Sequence, residues 1–150
     1  MIIPEIKISV SYDRAVKKTD LHKISCSYDV YQMFKELHLF DNDTFDWLEE
    51  MLLICLNRAN RVIGFYKMSK GGLSGTVADP KVVYTTALNC GASSIILAHN
   101  HPSGNLNPSE ADIKISKKIQ AAGTLLEISL LDSMIIGNDS YKSLMDEGLL

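Results

Sequence analysis

The chain has 150 residues, of which 46% are hydrophobic, and this length accommodates one domain with an ordinary core. Fifteen Lys and Arg residues against 18 Asp and Glu residues give a net charge of −3, which argues against a general duplex-binding module. No apolar run approaches the roughly 18 residues of a membrane span, and the first ten residues lack the apolar core of a secretory signal, so we expect a cytoplasmic protein without a membrane segment.

Residues 1–44 differ in composition from residues 45–150, and we interpret them as an N-terminal extension of the main domain rather than a second domain. Apolar and polar side chains alternate at residues 6–10, which predicts a strand. A helix is predicted to start at Ser27, since apolar residues then recur at helical spacing and are expected to dock on the main domain. These residues are Val30, Met33, Phe34 and Leu37.

The main domain begins with the pattern of a β-hairpin. Apolar runs at residues 51–56 and 61–68 have the length of strands and are separated by a short polar link. The glycine-rich residues 71–75 predict a loop. Asp79 and the proline after it combine an N-cap with a first-turn proline, which predicts a helix that Gly91 ends.

The second half of the chain alternates strands and helices, which indicates an α/β fold. Residues 94–98 are apolar on both faces and predict a central strand. The helix that follows is expected to end at Gly123. Residues 125–131 and 134–136 predict further strands, and the tail from Tyr141 predicts a short helix.

Two of the four histidines flank a single residue at the end of the predicted central strand. Residues two apart on a strand point to the same side, so His99 and His101 can present two imidazoles to one metal ion, while Asn100 points the other way. A catalytic zinc site needs a third protein ligand and an open position, and Asp112 fits as that ligand. The three cysteines are widely separated and are expected to be free thiols.

The same residues also have an ordinary structural interpretation. Ser109 and Asp112 form the Ser-x-x-Asp pattern of a helix capping box, which is common. An isolated pair of histidines near a loop is likewise more often packed or solvated than bound to a metal. The complete pattern is rarer, at roughly one chain per hundred or more by chance, which favours the metal site. Both roles can hold at once.

The stretch from Ile95 to Asp112, Ile-Ile-Leu-Ala-His-Asn-His-Pro-Ser-Gly-Asn-Leu-Asn-Pro-Ser-Glu-Ala-Asp, resembles the metal-binding motif of the JAB/MPN+ (JAMM) metallohydrolases, specifically their RadC-like branch. The resemblance extends over residues 49–150. It implies a cytidine-deaminase-like α/β sandwich in which helices flank a mixed sheet. It also implies Zn²⁺ bound by His99, His101 and Asp112, with a water in the fourth position.

The resemblance further implies two catalytic residues. The family pattern assigns the base that deprotonates the water to Glu49, with Glu50 as the adjacent alternative, because only one of two neighbours on a strand can face the metal. Ser109 matches the family serine that helps to hold the oxyanion, although its capping role competes for the same hydroxyl. Ser133 stands where many relatives have histidine, which leaves the role of that position open.

These features predict a zinc hydrolase in which an activated water attacks an amide or isopeptide bond of a peptide substrate. The alternative is a RadC-like accessory protein with a vestigial or structural metal site, which binds a partner in DNA repair or mobile-element maintenance. Lys114, Lys117 and Lys118 can offer DNA a local basic patch, but a solubilising helix face is the more frequent explanation. A zinc nucleobase deaminase is excluded, because His-x-Glu and Pro-Cys-x-x-Cys are missing.

Overall fold

The computed structural model describes residues 3–13, 16–71 and 78–150. Within these ranges the chain forms a short 3-10 turn, three α-helices and five strands. The elements, in chain order, are the 3-10 turn Lys18–Asp20, α1 (Ser27–Leu37), β1 (Glu50–Leu56), β2 (Val62–Lys70), α2 (Pro80–Asn89), β3 (Ser94–His99), α3 (Glu110–Leu126), β4 (Ser129–Ile136) and β5 (Tyr141–Ser143).

The five strands form one mixed sheet in the order β2-β1-β3-β4-β5. β1 runs antiparallel to both β2 and β3, whereas β3 and β4 are parallel and are joined by α3. The predicted hairpin and the predicted central strand are therefore confirmed. In this register Met51 of β1 lies opposite His99 at the end of β3, which fixes the start of β1 beside the histidine pair.

Helices cover both faces of the sheet, and the alternation of side chains along β1 divides the core into two layers. Leu52 and Ile54 pack with α1 on one face, while Leu53 and Cys55 pack with α2 and α3 on the other. Because β1 is buried on both faces, all seven of its residues are buried. The expected α/β architecture of a mixed sheet flanked by helices is confirmed.

The extension contributes α1 to the core, but its first segment is not a strand. Val30 and Phe34 of α1 are buried in the same layer as Leu52 of β1. Leu37, expected on this face, is 61% exposed in the last turn of the helix. The strand predicted at residues 6–10 is wrong, because residues 3–13 pair with no strand of the described chain. The division at residue 44 stays a prediction.

Residues 129–150 differ from the sequence prediction, because partners further along the chain accept or donate the hydrogen bonds of the polar residues in β4. One strand, β4, runs through the polar pair Asp132 and Ser133, where two shorter strands were expected. The Asp132 carboxylate accepts hydrogen bonds from the backbone N–H of Met145 and the hydroxyl of Ser143, at 3.1 and 2.6 Å. The tail accordingly forms β5 and a turn instead of the short helix predicted from Tyr141.

Local capping signals are confirmed at α2. The Asp79 side chain accepts a hydrogen bond from the backbone N–H of Lys81 at 2.9 Å, and Gly91 has a φ of +68° just after the helix. Residues 72–75 of the predicted glycine loop lie outside the described residues. None of the helices in the described ranges is long and apolar enough to cross a membrane.

The sequence predicts that α3 ends at Gly123, and this prediction is wrong. Gly123 lies inside the helix, which continues to Leu126. A Cβ atom at position 123 would lie 2.2 Å from the carbonyl oxygen of Ile128 and 2.6 Å from the hydroxyl of Tyr84. That hydroxyl is buried and donates to the carbonyl of Ile119 at 2.5 Å. Gly123 is therefore required by the close approach of its neighbours.

We expect Gly123→Ala to lower the free energy of unfolding by about 3 kcal/mol, although alanine favours helices. The added methyl group must displace backbone and break the Tyr84 hydrogen bond. Thr124→Ala, at an exposed position of the same helix, is the matched control and should change stability by less than about 0.5 kcal/mol. Urea denaturation of the three proteins measures the effect, and equal stability of Gly123→Ala and wild type would contradict this packing.

Candidate metal centre

Two secondary-structure elements bring the predicted ligands together. β3 ends at His99, and the parallel connection to β4 sends the chain through a loop into α3, whose first turn carries Asp112. The loop bends back directly after His101, because the backbone N–H of Gly104 donates to the His101 carbonyl at 2.9 Å and Gly104 has a φ of +73°. The second histidine is thereby held beside the end of the sheet.

The three side chains converge on one point. The Nε2 atoms of His99 and His101 are 3.0 Å apart, and the Asp112 carboxylate lies 3.4 Å from the first and 3.5 Å from the second. In a tetrahedral site with bonds of about 2.0–2.1 Å, neighbouring ligand atoms lie roughly 3.3–3.4 Å apart. The observed distances of 3.0, 3.4 and 3.5 Å lie close to this spacing, and these residues can hold a metal ion.

The surroundings of His101 set its tautomer. Its Nδ1 lies 2.6 Å from the backbone carbonyl of Asn105, and since a carbonyl only accepts, the proton sits on Nδ1 and donates to it. The Nε2 lone pair of the neutral ring is thus directed at the metal position. The hydrogen bond with Asp112 is the largest cause that raises the pKa of His101, and the charge of Glu49 adds to the rise. A cation is favoured at this position.

Both carboxylate oxygens of Asp112 face the candidate site, and one of them also serves the helix. Oδ1 lies 3.4 Å from Nε2 of His99. Oδ2 lies 3.5 Å from Nε2 of His101 and accepts hydrogen bonds from the backbone N–H of Ser109 at 2.7 Å and from the Ser109 hydroxyl at 2.6 Å. Burial raises the pKa of Asp112, but hydrogen bonds from His101, His99 and Ser109 lower it more, and the net pKa is below its ordinary value. The carboxylate is therefore ionised and oriented at neutral pH.

Asn100, the residue between the histidines, connects the site to the start of β1, a role that sequence reasoning missed. Its side chain is fully buried. Its Oδ1 accepts from the backbone N–H of Glu50 at 2.7 Å, and its Nδ2 donates to the carbonyls of Phe45 and Leu48 at 2.6 and 3.0 Å. The sequence indicates only that a buried amide needs hydrogen-bond partners. It does not indicate which residues those partners are.

The two candidate bases have different surroundings. Glu50 is buried, lies 3.2 Å from the ammonium group of Lys70 and accepts a hydrogen bond from the hydroxyl of Thr44 at 3.2 Å. Glu49 is half-buried, and its charge acts on the pKa of His101. Glu50 is thus engaged in an ion pair, whereas Glu49 acts electrostatically on the metal centre. The assignment of the base to Glu49 stays a prediction.

Ser133 does not join the three ligands. It lies opposite Leu97 in the register of β4 and β3, and its buried hydroxyl accepts a hydrogen bond from Ser116 of α3 at 2.8 Å. Two small hydroxyl groups satisfy each other there. Ser133 is therefore part of the contact between α3 and the sheet.

Comparison with known proteins identifies a family. Residues 24–149 match the family model of the RadC-like JAB domain. A UPF0758 protein of Flavobacterium johnsoniae is 48% identical over 101 residues, which are 67% of this chain and 44% of that protein. A UPF0758 protein of Clostridium novyi is 34% identical over 137 residues, which are 91% of this chain and 58% of that protein. The chain spans about half the length of the curated relatives it matches.

We expect purified protein to bind one zinc ion and His101→Ala to lose stoichiometric binding. The apparent affinity should fall as the pH is lowered from 8 to 6, because both imidazoles must be neutral to bind and the raised pKa of His101 brings its protonation to a higher pH. Elemental analysis after dialysis and calorimetry at several pH values measure this. His38→Ala, at an exposed histidine outside the site, is the control. Equal zinc content of His101→Ala and wild type would exclude the site.

A second expectation concerns Asn100. Asn100→Ala should lower the free energy of unfolding by about 2–3 kcal/mol, since it leaves the N–H of Glu50 and two carbonyls without their buried partner. Asn89→Ala removes an exposed amide that bonds only within α2, and should cost less than about 1 kcal/mol. Chemical denaturation tests the difference. Similar losses in both variants would show that the Asn100 hydrogen bonds do not stabilise the site.

Proposed function

Because the chain belongs to the RadC-like JAB domain family, we propose that it is a zinc-dependent hydrolase that cleaves an amide or isopeptide bond. The observation that carries the proposal is the spacing of the three ligand atoms of His99, His101 and Asp112. Two imidazoles and one carboxylate form a donor set typical of catalytic zinc, which keeps a position open for water or substrate.

Two of the three proposed ligands, His101 and Asp112, are supported by groups of this chain in a way that suits such a site. The Asn105 carbonyl fixes the ring of His101, and the N–H and hydroxyl of Ser109 fix the carboxylate of Asp112. Such supporting contacts typically change metal affinity or activity by about 10–100-fold when removed. A bound zinc ion would supply a water of lowered pKa and polarise the substrate carbonyl.

The proton transfers fall to Glu49 in this proposal. Its carboxylate would accept a proton from the attacking water and return it to the leaving amine, as a general base and then a general acid. The influence of its charge on His101 supports a position close to the reacting atoms. Glu50 is the weaker candidate, because the alternation along β1 places it on the face of Leu52, which α1 covers.

Ser109 has two proposed roles that use the same hydroxyl. In the structure this hydroxyl donates to Asp112 at 2.6 Å, and its oxygen accepts from the backbone N–H of Asp112 at 3.1 Å. To stabilise an oxyanion, the hydroxyl proton would have to turn away from Asp112 towards the substrate. We propose that positioning of Asp112 is the resting role of Ser109 and that oxyanion stabilisation is its role during the reaction.

Glu49→Gln tests the function directly. We expect it to keep zinc and fold normally but to lower the rate of peptide or isopeptide hydrolysis by about 10²–10⁴-fold, the usual contribution of a general base. Glu110→Gln, which removes an exposed carboxylate in the first turn of α3, is the matched control and should retain activity. The assay should include peptide, isopeptide and nucleic-acid substrates, with zinc content measured for each variant.

Two results would contradict the proposal. If Glu49→Gln hydrolyses as fast as wild type while Glu50→Gln is inactive, the base is wrongly assigned. If zinc-loaded wild type cleaves no peptide or isopeptide substrate and instead binds DNA in a salt-dependent way, the chain is an accessory protein. In that case Lys114, Lys117 and Lys118, which are exposed on α3, are the residues to replace first.

A further inference from the structure

Two cavities adjoin beside the metal centre. One has a volume of about 240 Å³ and is lined by His101. The other has a volume of about 270 Å³ and extends to the C-terminal end of α1. Four residues, Phe45, Asp46, Gly137 and Asn138, line both. The cavities therefore form one groove that runs from the metal centre along the face of the sheet covered by α1.

The two halves of this groove differ in chemistry. The half next to α1 is lined by the half-buried Phe45, by Phe34 and Phe40, which are almost completely buried in the core, and by the polar side chains of Lys35 and His38. The half next to His101 is lined by Asp46 and Asp139 in addition to Leu106. Both aspartates are exposed, and Asp46 accepts a hydrogen bond at 3.4 Å from Nδ2 of Asn138, the neighbour of Asp139. The groove thus offers the ring of Phe45 and, closer to His101, two carboxylates.

We propose that this groove binds an extended peptide that packs an apolar side chain against Phe45 and places a basic side chain beside Asp46 and Asp139. The inference rests on the proposed function, since it names the class of substrate that this hydrolase would accept. Its basic side chain would lie next to His101, and hence next to the bond that is cleaved.

Shape and charge together favour this occupant. The two adjoining cavities give room for two successive side chains of an extended chain. An apolar side chain gains by excluding water from the ring of Phe45, and Asp46 and Asp139 attract a cation. An acidic peptide would be repelled by the same two carboxylates.

Binding can be measured without hydrolysis, so that the groove and the catalytic proposal are tested separately. The probes are acetyl-Ala-Phe-Ala-Lys-Ala-amide and the same peptide with Phe and Lys exchanged. Calorimetry with the full chain gives Kd, and mass spectrometry shows whether the peptide stays intact.

We expect Asp46→Asn and Asp139→Asn each to weaken binding of these peptides by about two- to fivefold, as for exposed ion pairs, and added salt to do the same. Asp43→Asn removes an exposed carboxylate of the same turn outside the groove, and should have no effect. Phe45→Ala should weaken binding by about tenfold or more, whereas Phe65→Ala, on the half-exposed side of β2, should not.

Three results would overturn the inference. The first is equal affinity for the probes and for the same peptides with Glu in place of Lys. The second is equal affinity of Phe45→Ala and wild type, with both shown to be folded by thermal denaturation. The third is a concentration-dependent dimer that Phe45→Ala dissociates, because a second copy of the chain would then occupy the groove. Binding of intact probe without cleavage would support the groove while contradicting the hydrolase.

Discussion

The buried amide of Asn100 is the interaction on which the rest of the candidate site depends. It joins the end of β3, where the histidines lie, to the backbone at the start of β1 through three hydrogen bonds. The segment held in this way carries Glu49 next to Glu50 and supplies Phe45 to the groove. One side chain thus fixes the candidate ligands, the proposed base and one wall of the groove relative to each other, because a buried amide without partners is costly.

The alternation of side chains at the end of β3 places His99 and Asn100 on opposite faces of the sheet. His99 continues the row of Ile95 and Leu97 on the face covered by α2 and α3, and Asp112 lies on the same side, in the first turn of α3. Asn100 points to the opposite face, which α1 covers. The metal centre therefore lies at the end of the sheet where both faces meet, and the groove can approach it from the α1 side.

The capping box and the metal centre share residues without conflict. Helix α3 needs an N-cap because its first backbone N–H groups have no partners within the helix, and Ser109 meets that need at the N–H of Asp112. Oδ2 of Asp112 accepts two hydrogen bonds from Ser109 and lies 3.5 Å from His101, while Oδ1 faces His99. The capping box predicted from Ser-x-x-Asp is present, and it orients the carboxylate towards the two histidines.

The sequence by itself determined the α/β class, the hairpin, the central strand, the capped start of α2 and the three residues that could hold a metal ion, because each rests on a local period or motif. It failed at residues 6–10, at Gly123 and in the tail from Tyr141. Local patterns show which side chains can be buried, but a strand also needs a partner, and a glycine inside a helix is explained only by what approaches it. Only the tertiary structure could decide these points, together with the partners of Asn100 and the groove, since each depends on residues far apart in the chain.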